Sequence, residues 1–352
     1  MITPDILPAF PELSLSVLLP MRNEGKIARS KINSVIEEIK NSEKTRLVVV
    51  NSSSDDNTKD IAVNALKKSI LPKSRWDVLD SEIPGKTRAV NLGLSIIDTD
   101  LVMMMDADAI SSPGWLRLCQ EIFSNQKIGL VCGMEQYGSN RIRESSESVY
   151  KKLSNNRRLA QSLNSSILVV EGSMCCFRKD ALGGMSLNEN FNADDSQLAI
   201  LCSRNNFLSI MDRRLTFHEA NELSRTGNLR RRVRRGRGLS RNLVANIGMS
   251  IPRNNPVNPD VFLRTIGLYL LLPWVSTLAL TCIMTFIIFP ESAPSLTSDA
   301  NIRFGLISLL LSIIIWPTGR SLMEGSAIMV IAQISTLTHS SKDAWNPDRQ
   351  RE

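Results

Sequence analysis

The chain has little of what builds the commoner metal and redox sites. There are two histidines in 352 residues. The six cysteines (Cys119, Cys132, Cys175, Cys176, Cys202, Cys282) show neither metal-ligand spacing nor a disulfide framework. Cys175 and Cys176 are adjacent in an apolar run, where a free thiol behaves as a small hydrophobe, and the set fits a reducing, cytosolic setting. Met1–Glu12 has no basic stretch and no apolar core of a cleaved signal, and no internal repeat is visible. Acids are missing from Arg225–Arg241, a block of eight arginines, and charges of both signs are missing from the 24 residues Ile266–Phe289. The first gap calls for an anionic partner. The arginine block has no interleaved aromatics for base stacking, so nucleic acid is not expected. The second gap exceeds the ~20 residues a bilayer core requires and predicts a transmembrane helix.

What is present alternates between strands and helices. Leu15–Pro20 is an apolar run that empties into the turn Arg22-Asn23-Glu24-Gly25, and Lys26–Lys40 then carries five isoleucines and valines at helical spacing. Leu47–Val50 is a second strand, followed by Asn51–Thr58, a string of turn and N-cap formers before a helix reaching about Lys68. Trp76–Leu79 is a third strand, and Gly85-Lys86 opens a helix. Leu101–Met105 is a fourth strand and runs straight into Asp106-Ala107-Asp108. This alternation predicts an α/β domain with a mostly parallel sheet. Ligands of such sheets bind outside the carboxyl ends of the strands, where four polar clusters stand: Pro20–Glu24, Asn51–Thr58, Gly85-Lys86 with Asn91, and Asp106–Asp108. Two carboxylates one residue apart suit Mg²⁺ or Mn²⁺ with substrate phosphates completing the shell, although alone they suit a helix cap equally well. Further on, Asp194-Asp195 precedes Leu198–Leu201 and marks a helix start.

The order and spacing of these clusters resemble the family 2 glycosyltransferases over about Leu13 to Arg241. The resemblance implies a GT-A fold and a nucleotide-diphosphate sugar donor, a UDP- or GDP-sugar. It places Pro20, Asn23 and Glu24 beside the nucleoside. In the second loop Asn51 and Ser52 stand where the family has an acidic pair, while Ser54, Asp56 and Thr58 match. Lys86 and Asn91 match the lysine and asparagine near the diphosphate. Asp106 and Asp108 match the Asp-x-Asp motif, with Asp108 binding the divalent metal directly. Asp194-Asp195 matches the Glu-Asp pair whose second member, Asp195, is the general base of an inverting displacement. Arg231 and Arg234 occupy the positions of Gln-x-x-Arg-Trp, with Arg235 in place of the Trp, and would bind the donor diphosphate or a lipid phosphate. His218 is a further candidate metal ligand.

Three regions are expected: a cytoplasmic GT-A domain (13–255), a membrane region (261–340) and a polar tail (341–352). In the membrane region, spans are expected at about 264–289 and 302–319, with a third apolar segment at 322–338 that either crosses or lies in the interface. The arginine block before the first span puts the catalytic domain in the cytoplasm, and the two spans make the chain multi-pass. The expected acceptor is membrane-associated: a polyprenyl phosphate, a lipid-linked saccharide or a glycan. Two other readings share parts of the pattern. One is a sugar-phosphate nucleotidyltransferase, and the other is a non-catalytic membrane protein whose arginines bind anionic lipid or RNA.

Overall fold

The computed structural model describes residues 12–136, 146–219, 225–250, 259–289 and 300–338. The polar tail and the junction drawn between residues 255 and 261 lie wholly or mostly outside the described residues. Eight strands form one sheet: β1 (Leu15–Met21), β2 (Thr45–Ser52), β3 (Trp76–Ser81), β4 (Leu101–Met105), β5 (Ala109–Ser111), β6 (Ile128–Glu135), β7 (Met174–Arg178) and β8 (Leu208–Glu219). Their order is β3-β2-β1-β4-β7-β6-β8-β5. The first four pair in parallel, as the alternation predicts. The sheet as a whole is mixed rather than mostly parallel, because β7 runs antiparallel to both β4 and β6, and β5 antiparallel to β8. The apolar run of β7 reads the same in either direction, so its sense is set by where the chain enters: the Asp106 N–H donates to the Ser173 carbonyl (2.9 Å), so β7 begins where β4 ends.

Both faces of the central strands are buried, which is why they read as continuous apolar runs. Leu15, Val17, Leu19 and Met21 of β1 join a cluster with Ile32 and Ile36 of α1 (Ala28–Ile39), Leu66 of α2 (Thr58–Lys67) and Cys119 of α4 (Trp115–Ile122). Leu18 turns to the other face, with Ala89 and Val90 of α3 (Lys86–Ile96) and Leu198 and Ala199 of α6 (Asp194–Arg204). The strand order turns back between β1 and β4, and at such a switch point the two following loops diverge and leave a crevice.

A long helix, α5 (Ser146–Ser162), and the arginine-rich α7 (Arg225–Ala245) lead to a helical C-terminal region: α8 (Pro259–Ile266), α9 (Leu272–Ile288), α10 (Ala300–Ile315) and α11 (Pro317–Thr338). Between α8 and α9, Gly267–Leu271 forms a π turn. Pro273 has no N–H to offer the Tyr269 carbonyl, and the Gln333 side chain of α11 donates to that carbonyl instead (3.0 Å) while accepting from Trp274 Nε1 (2.7 Å). The continuous helix Pro259–Ile288, whose most apolar 18 residues have a mean hydropathy of 2.0, is the one helix among the described residues long and apolar enough to cross a membrane. The multi-pass expectation therefore finds no second helix of that kind. α10 has 16 residues, and α11 carries Arg320 and Glu324 in its first turns. α11 lies instead along α7 and α5. A Cβ on Gly236 would come within 3.0 Å of Ala332 Cβ, so this glycine lets the two helices approach.

Candidate active site

Lys86 ties three elements together. It opens α3 directly after Gly85, and its Nζ lies 2.8 Å from Asp106 Oδ1 at the end of β4 and 3.1 Å from Asp194 Oδ2 at the start of α6. Asp194 Oδ2 makes no directed hydrogen bond, so its approach to Lys86 is an ion pair. All three side chains are at most 17% exposed. Burial disfavours the Lys86 ammonium, but Asp106 and Asp194 outweigh it and hold the group above the ordinary lysine range. The α3 N-terminus has no side-chain cap, and the buried Thr87 hydroxyl beside it has no partner among the described residues. Both features face the cavity that Lys86 and Thr87 line and both suit an anion.

The carboxylates differ in their surroundings. Burial, reinforced by Asp106 and Glu219, pushes Asp108 up to about 7. Burial and the adjacent Asp194 push Asp195 up to about 6, against the pull of Arg235 and Lys86. Glu219, at the end of β8, is also buried, yet Arg231 (Nη1 to Oε2, 3.2 Å), with Lys151 and Arg235, holds it down to about 2. Asp195 is fixed from two sides. Its Oδ1 accepts the Ser196 N–H (2.7 Å), and its carboxylate lies flat against Gly172, where a Cβ would stand 2.8 Å from Oδ2. Gly172 precedes Ser173, the residue that receives the Asp106 N–H, so one loop registers Asp106 and Asp195 against each other. Gly172→Ala is therefore expected to displace Asp195 and lower kcat at least about tenfold, with the melting temperature falling by only a few degrees. Steady-state kinetics beside thermal denaturation checks this.

These groups line one cavity of about 870 Å³. Of the residues expected from sequence, Glu24, Lys86, Asp106, Asp108, Asp194, Asp195, Arg231 and Arg234 meet there. Burial, with Arg235 beside it, pushes Arg234 down to about 10, the mark of a positive charge short of anions. Neither Arg234 nor Arg235 has an ion-pair or hydrogen-bond partner among the described residues. The remaining expected residues hold loops rather than line the cavity. Pro20 is buried within β1, in register with Val50. Asn23 accepts from the Asp55 N–H (2.8 Å), and Asp56 Oδ2 accepts the Gly25 N–H (3.0 Å). Asn51 donates to Asp80 (2.6 Å), and Asn91 brackets the Leu187 backbone (2.9 and 3.0 Å) ahead of α6. His218 is exposed on β8, and its side chain alternates to the face opposite Glu219. It does not line the cavity, and Glu219 stands there in its place.

Three further residues in or behind the wall escape a reading for motifs. Lys31, on the buried face of α1, donates to the Ala109 carbonyl (2.5 Å) directly behind Asp106–Asp108, and burial, opposed by both carboxylates, pushes it down to about 8. Tyr269 from the π turn and Met329 from α11 line the cavity with Ile328 and Leu239, so the helical region contributes apolar lining to the same space. No group of three or more His, Cys, Asp or Glu side chains among the described residues is placed to cage a metal ion alone. The donor set fits a divalent ion only with substrate oxygens as further ligands, since Asp108 is a buried carboxylate crowded by like charge.

A model of the family described as "Glycosyl transferase family 2" matches residues 16–184. No curated protein matches the chain by sequence. Among solved structures, the mannosyltransferase PcManGT from Pyrobaculum calidifontis, in complex with GDP-Man and Mn²⁺, superposes with a TM-score of 0.75 at 19% identity, covering 95% of this chain and 90% of that one. The crystal structure of S. aureus TarS 1–349 gives a TM-score of 0.49 at 12% identity over 93% and 92%, too loose to carry an argument. The matched segment contains Lys86, Asp106 and Asp108, while Asp194, Asp195, Glu219 and the arginines lie beyond it and join them through the contacts above. Residues 16–184 thus match the glycosyl transferase family 2 model, within a chain of GT-A-like α/β fold.

Proposed function

We propose that the chain is a glycosyltransferase working at a membrane, moving a sugar from its nucleoside-diphosphate donor to a lipid-linked acceptor with inversion at the anomeric carbon. The observation that carries the reading is the composition of this cavity. Asp106, Asp108 and Lys86 share its lining with Arg234 and Arg235 and with Tyr269, Ile328 and Met329 of the helical region. A free glycan has no use for an apolar wall built by helices next to a candidate membrane span. The arginines of α7, which precede that span, support a catalytic domain on the cytoplasmic side.

In the reaction the acceptor oxygen forms a bond to the anomeric carbon as the bond from that carbon to the diphosphate oxygen breaks, the electron pair leaving with the nucleoside diphosphate. Asp195 takes the acceptor's proton, and a carboxylate near 6 is matched to that task at neutral pH. Lys86 at the α3 N-terminus and Arg234 face the charge that develops on the leaving diphosphate. Arg231 keeps Glu219 ionised beside Asp108. A divalent ion held by Asp108, with Asp106 beside it, supplies Lewis-acid stabilisation of the same oxygens when bound.

Incubating the full chain in lipid vesicles with a panel of nucleotide sugars tests the reading, because slow hydrolysis identifies the donor. Label in the sugar should pass to a lipid phosphate or lipid-linked saccharide added to the vesicles. Transfer of the nucleotide instead, or equal transfer to a soluble glycan without lipid, would sink it.

A further inference from the structure

Asp195 is oriented by a residue that is itself held from another helix. The Ser196 N–H donates to Asp195 Oδ1 (2.7 Å). The Ser196 hydroxyl accepts from Asn242 Nδ2 of α7 (2.9 Å) and donates to the Ala193 carbonyl (3.3 Å). Asn242 is fixed in turn by Asn246, whose Nδ2 donates to the Asn242 side-chain oxygen (3.0 Å) and to its carbonyl (2.7 Å). Ser196 and Asn242 are each 1% exposed. Arg234, Gly238 and Asn242 are spaced four residues apart and fall on one face of α7, which Asn246 continues just past the helix end. Arg234 lines the cavity. At Gly238 the helix presses on the turn that opens α6, since an added Cβ would stand 2.7 Å from the Asn192 carbonyl oxygen. The packing around Asn242 is otherwise apolar, with Ile200 of α6 and Leu239 and Leu243 of α7 in one buried cluster. Apolar contacts are non-directional and leave the helices free to slide. A buried amide bonded across them adds register rather than packing.

We infer that Asn242 is a positioning residue for the base: through Ser196 it locks the turn carrying Asp195 to α7, so that the base keeps one separation from the arginines of that helix. The inference rests on Asp195 as the base of the proposed transfer and adds the residue that sets its reach. Arg231, Arg234 and Arg235 line the cavity from α7, and Asp195 lines it from the start of α6. A base on one helix and cations for the leaving diphosphate on another must hold their spacing, because a misplacement of about 1 Å can cost roughly 10²-fold in rate. Gly172 limits Asp195 from the loop before β7, and Asn242 supplies the restraint from α7. The same helix is seated on α11 at Gly236, so the register of the base continues into the helical C-terminal region.

The test compares wild type with Asn242→Leu, Ser196→Ala and Asp195→Asn, and with each of the first two combined with Asp195→Asn, all as full-length protein in lipid vesicles. Asn242→Leu leaves no orphaned group, since Ser196 keeps the Ala193 carbonyl and the Asn246 amide keeps the backbone carbonyl of residue 242. The rate is that of sugar transfer to a polyprenyl phosphate from the donor that the nucleotide-sugar panel selects. In Asn242→Leu and Ser196→Ala, kcat should fall at least about tenfold. Calorimetric affinity for GDP and UDP with Mn²⁺ should be unchanged. In the Asp195→Asn background neither substitution should cost any further rate, because no base is left to position. A general loosening of the fold would cost the same factor in both backgrounds, and that result overturns the inference. So does a wild-type kcat in both single variants, or a loss of nucleotide affinity that accounts for the lost rate. If Asn242→Leu does not fold, Ser196→Ala, which removes one hydroxyl, decides by the same readings. A wild-type rate in Asp195→Asn removes the base itself. A dead Asp195→Asn beside full rates in the other two removes only this inference.

Discussion

Asp195→Asn should leave a folded protein whose transfer rate is lower by roughly 10²–10⁴-fold, the range that a positioned general base contributes. The side chain keeps its shape and its contact with Gly172, so donor affinity should hold while kcat collapses. The pH behaviour separates this from a merely positional effect. Burial and Asp194 raise Asp195 to about 6, so in wild type the base is protonated below that value and kcat/KM should fall about tenfold per pH unit there. The variant should lack this acid limb. The stability sign is the opposite of the usual carboxylate. A carboxyl whose folded value is raised binds its proton more tightly in the folded state, so its contribution favours the fold at low pH and is lost as pH rises through 6. At pH 7 the Asn variant should therefore melt no lower than wild type. A variant with a wild-type rate, or one with a much lower melting temperature, would remove Asp195 from the role of base.

The half of the site that follows strands was legible in the sequence, and the half that depends on tertiary register was not. Lys86, Asp106 and Asp108 stand directly after Gly85 and β4, where an apolar run ending in polar residues shows both the strand and its mouth. Asp194-Asp195 was visible as a helix start, and the cavity now contains both residues. Asn23, Asn51, Asp56 and Asn91 belong to the same loops, yet they spend their hydrogen bonds on holding one loop to the next. Spacing along the chain cannot distinguish a residue that touches ligand from one that braces its neighbour. Glu219 went unread for a different reason. It is one residue past His218, and the period of two in β8 decides which of them faces the cavity. The buried Phe217 two residues earlier marks the parity, but only once β8 is known to be a strand. Lys31 carries no mark in the sequence, since nothing local reveals that its ammonium meets the Ala109 carbonyl 78 residues away.

The membrane region divides in the same way. The uncharged run from Ile266 is visible as composition alone, and it lies in the one candidate span among the described residues. That Tyr269 and Met329 reach the cavity depends on the π turn that Pro273 provokes and Gln333 stabilises, and on the closeness that Gly236 permits. Each of those is a contact between segments tens of residues apart. None has a periodicity to read.

Asp108→Asn should abolish donor turnover to the same practical limit, with transfer down by about 10²-fold or more, through loss of charge stabilisation at the diphosphate. Excess chelator should do the same to wild type, and full turnover in chelator would sink the proposed ion. A binding readout isolates the cause. Burial, Asp106 and Glu219 raise Asp108 to about 7, so a divalent cation arriving at neutral pH must displace a proton. Mn²⁺ affinity in the presence of GDP or UDP should accordingly weaken about tenfold per pH unit below 7 and level off above it. Titrations at pH 7 in two buffers of different ionisation heat should show release of a fraction of a proton per ion bound. The Asn variant should bind the ion weakly, with no such release. Lys31 is a positive charge on the same side of the balance as the ion, but it is fixed behind the Asp106–Asp108 turn and pushed down to about 8 by its own burial. It offsets part of the repulsion between the carboxylates and leaves the rest for a cation that comes and goes with the nucleotide.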